Sequence, residues 1–120
     1  SICFVQLIAP TTSIKRMKNI LRISDSTIYM ISMISTTGSA LKVTTRKIMK
    51  NYEIIKKLSP LKNIIIGFGI TEKTIGKLKS ADGLVVGSAI CKEITRSLKS
   101  RQNPVINVVK LVSKLKKKII

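Results

Sequence analysis

The sequence has no histidine and no tryptophan, and five acidic residues stand against 23 lysines and arginines. Without histidine, general acid and base catalysis has to come from tyrosine, cysteine, lysine or groups outside this sequence. We expect two acids to precede strands and three to lie in helices, whereas α/β folds carry their sites at the carboxyl ends of strands. The sequence therefore predicts no catalytic centre of its own. Asp25 and Asp82 are the two acids predicted to precede strands, and Glu53, Glu72 and Glu93 are the three predicted to lie in helices.

Cysteines and long apolar runs are also scarce. Cys3 and Cys91 are too few for a disulfide framework or a zinc site, and we expect both to be buried, reduced thiols. No apolar run approaches the ~20 residues of a membrane-spanning helix. The sequence thus predicts neither a metal site nor a membrane partner.

The net charge of +18 has two interpretations, nucleic-acid binding or a composition biased towards lysine and isoleucine. Base stacking needs aromatic side chains, and only two tyrosines and two phenylalanines are present. The lysines are spread over every predicted helix and do not form one stripe. We therefore favour biased composition and expect no nucleic-acid partner, although positive charge can speed the arrival of anionic substrates.

Apolar strand-like runs alternate with amphipathic helical segments along the whole chain. Strands are predicted near residues 2–8, 28–31, 63–66 and 84–86, with helices between them and a C-terminal helix. Ser13 is among the N-cap candidates of the first helix, and Asn103 is the N-cap of the last helix, which begins at Pro104. This alternation predicts an α/β fold with a parallel sheet, in one domain over residues 1–120.

The last two predicted strands each end in a glycine-containing turn that opens into a helix. Gly-Phe-Gly occupies positions 67–69, and Gly-Ser occupies positions 87–88. Alone, the first motif is equally compatible with a tight turn and the second with a helix cap. Glycine permits close backbone approach, and a helix N-terminus offers free N–H groups to an anion. Together the two turns favour the phosphate site made by the last two loops of a (β/α)₈ TIM barrel.

About four βα units fit into this length, whereas a complete barrel needs roughly 250 residues. The chain begins with Ser1 and enters an apolar run almost at once. We therefore expect it to be the C-terminal half of a TIM barrel within a longer protein. Residues 32–39, after the second strand, are interpreted either as a lid over the site or as a flexible connector.

These motifs together resemble the tryptophan synthase alpha subunit family, in its order and spacing over nearly the whole chain. Gly-Phe-Gly-Ile, followed about twenty residues later by Gly-Ser-Ala-Ile, is the most specific part. The segments that carry the resemblance are residues 7–12, 29–32, 37–38, 67–70 and 81–90.

The resemblance implies a lyase of tryptophan biosynthesis, which cleaves indole-3-glycerol phosphate to indole and glyceraldehyde 3-phosphate by retro-aldol chemistry. It implies a cytoplasmic alpha subunit without a cofactor, in an α2β2 tetramer whose beta subunit uses pyridoxal phosphate. The two catalytic carboxylates of the family come from the first half of the barrel, which has no counterpart here.

Carried over by position, the resemblance also implies the roles of individual residues. Tyr29 lines the substrate pocket, and Thr37 assists a catalytic carboxylate from the closing loop. The phosphate is held by Gly38, Phe68, Gly69, Gly87 and Ser88. The loop departs from the usual Gly-Val-Thr-Gly because serine occupies position 35, which removes a residue tolerant of positive φ.

Two alternatives stay open beside the enzyme. The chain could be a half-barrel that binds a phosphorylated ligand without catalysis and dimerises to cover its sheet edges. It could also be a basic nucleic-acid binder, for which steep salt dependence would be the signature.

Overall fold

A computed structural model of the chain describes residues 1–32 and 43–120. Four strands form one parallel sheet in the order β1-β2-β3-β4, and helices follow them along the chain. The strands are β1 (Gln6–Ile8), β2 (Thr27–Ile31), β3 (Asn63–Gly67) and β4 (Gly83–Leu84). The helices are α1 (Ile14–Ile23), α2 (Thr45–Leu58), α3 (Ser88–Lys99) and α4 (Pro104–Lys117), with a 3₁₀ helix at Ile75–Leu78.

The predicted α/β fold with a parallel sheet is confirmed, but two strand boundaries were wrong. β1 begins at Gln6 and not at residue 2, because its partner β2 begins at Thr27 and offers no ladder to earlier residues. The Phe4 N–H donates instead to the Asp25 carboxylate at 2.8 Å. β4 ends at Leu84 and not at residue 86, although the Val85 N–H still donates to the Ile66 carbonyl at 2.8 Å before α3 begins at Ser88.

Side-chain caps define three of the helix starts. Ser13 Oγ accepts from the Arg16 N–H, and Thr44 Oγ1 accepts from the Lys47 N–H. Asn103 caps α4 with Pro104 in its first turn, as the sequence predicted.

The segment after β3 differs from its prediction. Glu72 was placed in a helix, and it lies in a turn that leads into the 3₁₀ helix. The hydroxyl of Thr74 accepts from the Thr71 N–H and closes this turn. A 3₁₀ piece suits so short a connection, since its hydrogen bonds span only three residues.

The hydrophobic core lies between one face of the sheet and the helices. On the sheet, Ile8, Ile28, Met30, Ile64 and Ile66 are buried. The alternate residues Leu7, Tyr29 and Ile65 belong to the other face, where Leu7 is 54% exposed. β1 is therefore buried on one face alone, because no described element covers its second face. The helical and connecting segments contribute Met17, Leu21, Ile48, Tyr52, Ile55, Ile70, Ile75, Leu78 and Leu115.

Both cysteines are exposed, which corrects the expectation of buried thiols. Cys3 lies before the start of β1, and Cys91 lies in α3, whose only buried residue is Ser97. Within the described parts of the chain, none of the helices combines the length and apolar character that crossing a bilayer requires.

Candidate functional site

A cavity of about 220 Å³ opens at the carboxyl ends of β2, β3 and β4. Ligands of parallel α/β folds bind at this edge of the sheet, so its position agrees with a functional site. The cavity is lined by Tyr29, Phe68, Gly69, Ile70, Val85, Gly87 and Ser88.

The structure brings five of the seven predicted site residues together around this cavity. Tyr29 comes from β2, Phe68 and Gly69 from the turn after β3, and Gly87 and Ser88 from the start of α3. The other two, Thr37 and Gly38, lie outside the described residues. The geometry therefore groups the described candidates, and their individual roles stay predictions.

The turn after β3 has an unusual backbone. Phe68 has a φ of 74° and Gly69 a φ of 67°, so two successive residues occupy the left-handed region. Glycine adopts this conformation freely, whereas phenylalanine does so only under strain. Strain of this kind persists where the surrounding structure holds the backbone in place, and it is concentrated at functional sites.

Gly67 permits a close approach between this turn and β2. A Cβ atom at Gly67 would collide with the hydroxyl and ring of Tyr29. Only a residue without a side chain lets the Tyr29 ring lie against the end of β3. Gly67 thus shapes the cavity wall, although it was not among the predicted site residues.

The N–H groups of Gly69 and Ile70 have no backbone acceptor among residues 1–32 and 43–120. They follow one another in a left-handed turn, and successive N–H groups in such turns form concave anion-binding sites. The turn after β3 can therefore present two donors to an anion in the cavity.

The start of α3 contributes a second set of donors. Gly87 caps the helix without a side-chain hydrogen bond, and its carbonyl accepts from Ile90 and Cys91. The N–H groups of Ser88 and Ala89 find no backbone acceptor in the described ranges. A helix N-terminus with unpaired N–H groups and its positive dipole end favours phosphate and other anions.

None of the described residues that line the cavity carries a charge. Two of the described carboxylates lie instead where strands begin, as the sequence predicted for Asp25 and Asp82. Asp82 accepts from the Ile64 N–H and from Lys56 Nζ, both at 2.8 Å. Burial raises the pKa of Asp82, but these hydrogen bonds outweigh it and hold the pKa below its usual value.

Glu72 and Glu93 are engaged in ion pairs. Glu72 pairs with Lys114 and Lys118 of α4, and hydrogen bonds from these lysines lower its pKa. Glu93 pairs with Arg96, which lowers its pKa. The cavity can thus bind an anion through neutral donors, but none of these carboxylates lines it to act as an acid or base.

Besides Gly67, sequence reasoning missed two residues that line the cavity, Ile70 and Val85, and one supporting residue, Ser32. Ile70 directly follows the predicted Gly-Phe-Gly turn, and Val85 lies in the last predicted strand, so the sequence pattern already indicated that both lie near the site. No sequence pattern indicated the role of the fully buried Ser32, because only the folded chain brings its hydroxyl to residues 67 and 68. The described residues contain no group of three cysteine, aspartate or glutamate side chains placed to hold a metal.

All 120 residues match the family model described as "Tryptophan synthase alpha chain". The chain is 63% identical over 118 residues to the tryptophan synthase alpha chain of Pelagibacter ubique, covering 98% of this chain and 44% of the relative. It is 40% identical over 93 residues to that of Aquifex aeolicus, covering 74% of this chain and 34% of the relative. The chain therefore spans less than half the length of these curated relatives.

Solved structures show the same architecture. The tryptophan synthase alpha chain of Legionella pneumophila superposes with a TM-score of 0.75 at 28% identity, over 96% of this chain and 41% of that one. A structure of the tryptophan synthase α2β2 complex from Pyrococcus furiosus gives a TM-score of 0.65 at 29% identity, over 97% of this chain and 46% of that one. The four βα units thus correspond to part of a longer α/β chain.

Proposed function

Because the chain belongs to the tryptophan synthase alpha chain family, we propose that it forms the C-terminal half of a tryptophan synthase alpha subunit. Residues 1–120 then constitute one partial TIM-barrel domain that carries the phosphate-binding loops. The complete subunit cleaves indole-3-glycerol phosphate to indole and glyceraldehyde 3-phosphate, a lyase reaction of tryptophan biosynthesis.

The cavity supports this substrate assignment. Three residues whose N–H groups have no backbone acceptor in the described ranges line this cavity: Gly69 and Ile70 in the turn after β3, and Ser88 at the start of α3. We infer that these N–H groups converge on one space at the carboxyl edge of the sheet. Neutral backbone donors at a helix N-terminus suit phosphate oxygens. We assign the phosphate to Gly69, Gly87 and Ser88, with Phe68 and Gly38 beside them. This convergence is the observation that carries the proposal.

The remaining predicted residues serve the rest of the substrate. Tyr29 lines the cavity next to the proposed phosphate loops, and we propose that it contacts the glycerol or indole portion of the substrate. Thr37 lies outside the described residues, and we propose that it orients a catalytic carboxylate from a closing loop.

Retro-aldol cleavage needs a base for the glycerol hydroxyl and an acid that protonates the indole carbon as the carbon–carbon bond breaks. Among residues 1–32 and 43–120, those that line the cavity include no carboxylate, lysine or histidine. We therefore propose that the catalytic carboxylates are supplied by the upstream half of the barrel and that this chain holds the substrate for them.

The proposal extends to partners and location. The Pyrococcus furiosus relative is described in an α2β2 complex. We propose the same assembly here, in which indole passes to a beta subunit that uses pyridoxal phosphate. The alpha subunit itself needs no cofactor, and the complex is cytoplasmic.

The alternative is a phosphate-ligand binding module without catalysis. One observation favours it: the described residues that line the cavity include anion-binding backbone groups but no acid or base. The two functions differ in whether indole is released once that half is present.

The test uses a completed subunit, in which the upstream part of the Pelagibacter ubique alpha chain is joined to this chain. We expect it to release indole from indole-3-glycerol phosphate, measured with purified beta subunit of the same species. Ser88→Asp places a carboxylate against the phosphate and should weaken substrate binding about a hundredfold, because like charges a few ångströms apart repel strongly. Aspartate suits the first turn of a helix, so the fold should persist.

Ser80→Asp is the matched control, since Ser80 is an exposed turn residue remote from the cavity and the charge change is the same. Equal losses in the two variants would contradict the phosphate assignment. A folded completed subunit that binds inorganic phosphate but releases no indole would favour the binding module. Absence of phosphate binding would reject both functions.

A further inference from the structure

Ser32 is the buried polar residue nearest the candidate site. It directly follows β2 and is fully buried, and the only other polar residue buried to this degree in the described ranges is Ser97 in α3. The Ser32 N–H donates to the Gly67 carbonyl at 2.9 Å. Its hydroxyl lies 2.7 Å from the same carbonyl and also contacts the Phe68 carbonyl.

The hydroxyl is not needed to pair the two strands. The Gly67 carbonyl already accepts the Ser32 N–H, which continues the parallel ladder beyond the pairing of Ile31 with Gly67. What the hydroxyl adds is a contact with Phe68, the residue at which the backbone enters the left-handed region. A buried serine therefore reaches across from β2 to the strained point of the turn.

This contact determines which way the next N–H group points. In a trans peptide the carbonyl and the following N–H lie on opposite sides of the chain. When the Phe68 carbonyl faces Ser32, the Gly69 N–H faces away from Ser32. That N–H is one of those without a backbone acceptor in the described residues, and Gly69 lines the cavity.

We propose that Ser32 is a positioning residue that holds the Gly67–Gly69 turn in its anion-binding conformation. This inference rests on the proposed phosphate site and adds a residue that does not touch the ligand. Because strained backbone persists only where neighbours hold it, loss of the hydroxyl frees the Phe68–Gly69 peptide to rotate.

The experiment compares Ser32→Ala with Ser97→Ala in the completed subunit. Ser97 is an equally buried serine that accepts a hydrogen bond from Asn107 Nδ2 at 3.0 Å, far along α3 from the cavity. Both variants lose a buried hydroxyl, so both should lose stability. Only Ser32→Ala should raise the inhibition constant of inorganic phosphate and the KM for indole-3-glycerol phosphate, by about five- to tenfold, the effect of one hydrogen bond.

Indole, which has no phosphate, separates positioning from general damage. Its inhibition constant should be unchanged in Ser32→Ala, and Ser32→Cys, which keeps a weak donor of similar size, should be intermediate for phosphate. Equal weakening of indole and phosphate, or phosphate affinity unchanged from Ser97→Ala, would overturn the role of Ser32. If the parent subunit itself fails to bind phosphate, the proposed function fails, and Ser32 has no site to position.

Discussion

The two edges of the sheet, where the strands begin and where they end, differ in whether the hydrogen-bonding groups of the backbone have partners. At the edge where the strands begin, side chains satisfy main-chain groups: Asp25 accepts from Phe4, Asp82 accepts from Ile64, and Lys62 Nζ donates to the Ser24 carbonyl at 2.7 Å. At the edge where the strands end, N–H groups of the turn after β3 and of the start of α3 are left without backbone acceptors in the described residues.

This difference between the two edges of the sheet explains where the chain places its few carboxylates. Asp25 and Asp82 stabilise the edge where the strands begin, here called the closed edge, by accepting hydrogen bonds from the backbone. An acid at the edge where the strands end, here called the open edge, would repel an anion. Unpaired backbone donors are costly when buried, so they persist where solvent or a ligand can reach them. The closed edge thus supports the fold, and the open edge is available for binding.

Gly67→Ala should give the largest effect, and it acts on the open edge. The added methyl group collides with Tyr29, and overpacking of this kind costs about 1–3 kcal/mol. We expect a loss near the upper end, about 3 kcal/mol in the free energy of unfolding, because rigid backbone and an aromatic ring must both shift. Urea denaturation of the completed subunit measures the loss, and phosphate inhibition should weaken with it.

Gly76→Ala is the control for this prediction. A Cβ atom there meets nothing closer than the Lys118 carbonyl oxygen at 3.8 Å, so the methyl group fits. Wild-type stability of Gly67→Ala would show that Tyr29 does not lie against the end of β3 in solution.

Asp82→Asn should have the next largest effect, and it acts on the closed edge. The side chain keeps its size but loses the charge that accepts from Ile64 and Lys56. A hydrogen bond to a charged group contributes about 1.5–3 kcal/mol, and partial exposure screens it, so we expect a loss of about 1–2 kcal/mol. Glu53→Gln, at an exposed position of α2, should change stability by less than about 0.5 kcal/mol.

The contribution of the Asp82 carboxylate to stability depends on pH, and the direction of this dependence follows from its pKa. The pKa of Asp82 is lowered in the folded state, so the folded protein binds this proton less readily than the unfolded chain. The contribution is fully present above the ordinary aspartate pKa of about 3.9 and is lost as the pH falls through the lowered folded value. Unfolding measured from neutral pH down to about pH 3 should show a shallower acid loss in Asp82→Asn, whereas parallel curves would contradict this role.

Arg101→Gly should have the smallest effect on stability. It serves as a reference for the other variants because Arg101 lies outside both edges of the sheet. Arg101 has a φ of 53° just after α3, so glycine relieves strain while the backbone bond to the Leu98 carbonyl is kept. Part of the gain is offset by the freedom of glycine in the unfolded chain, so we expect a stabilisation of about 0.5 kcal/mol.

Phe68→Gly provides the contrast, since it relieves the same kind of strain at the site. Its phosphate inhibition constant should change, whereas that of Arg101→Gly should not. Equal phosphate inhibition in both variants would show that the conformation at Phe68 has no part in binding.

The sequence by itself determined the alternation of strands and helices, the caps at Ser13 and Asn103, and the two glycine turns of the site. These features are local, because periodicity, capping and glycine act within a few residues. The resemblance to the family also came from such segments.

Only the tertiary structure decided the limits of β1 and β4, the exposure of Cys3 and Cys91, and the support of the Phe68 turn by Ser32. Each depends on which segments become neighbours: a strand extends only as far as its partner, and a thiol is buried only where another element covers it. Ser32 and Phe68 are 36 residues apart and meet because parallel β2 and β3 end side by side. Pairing across that separation is a property of the folded sheet, and no pattern within either segment encodes it.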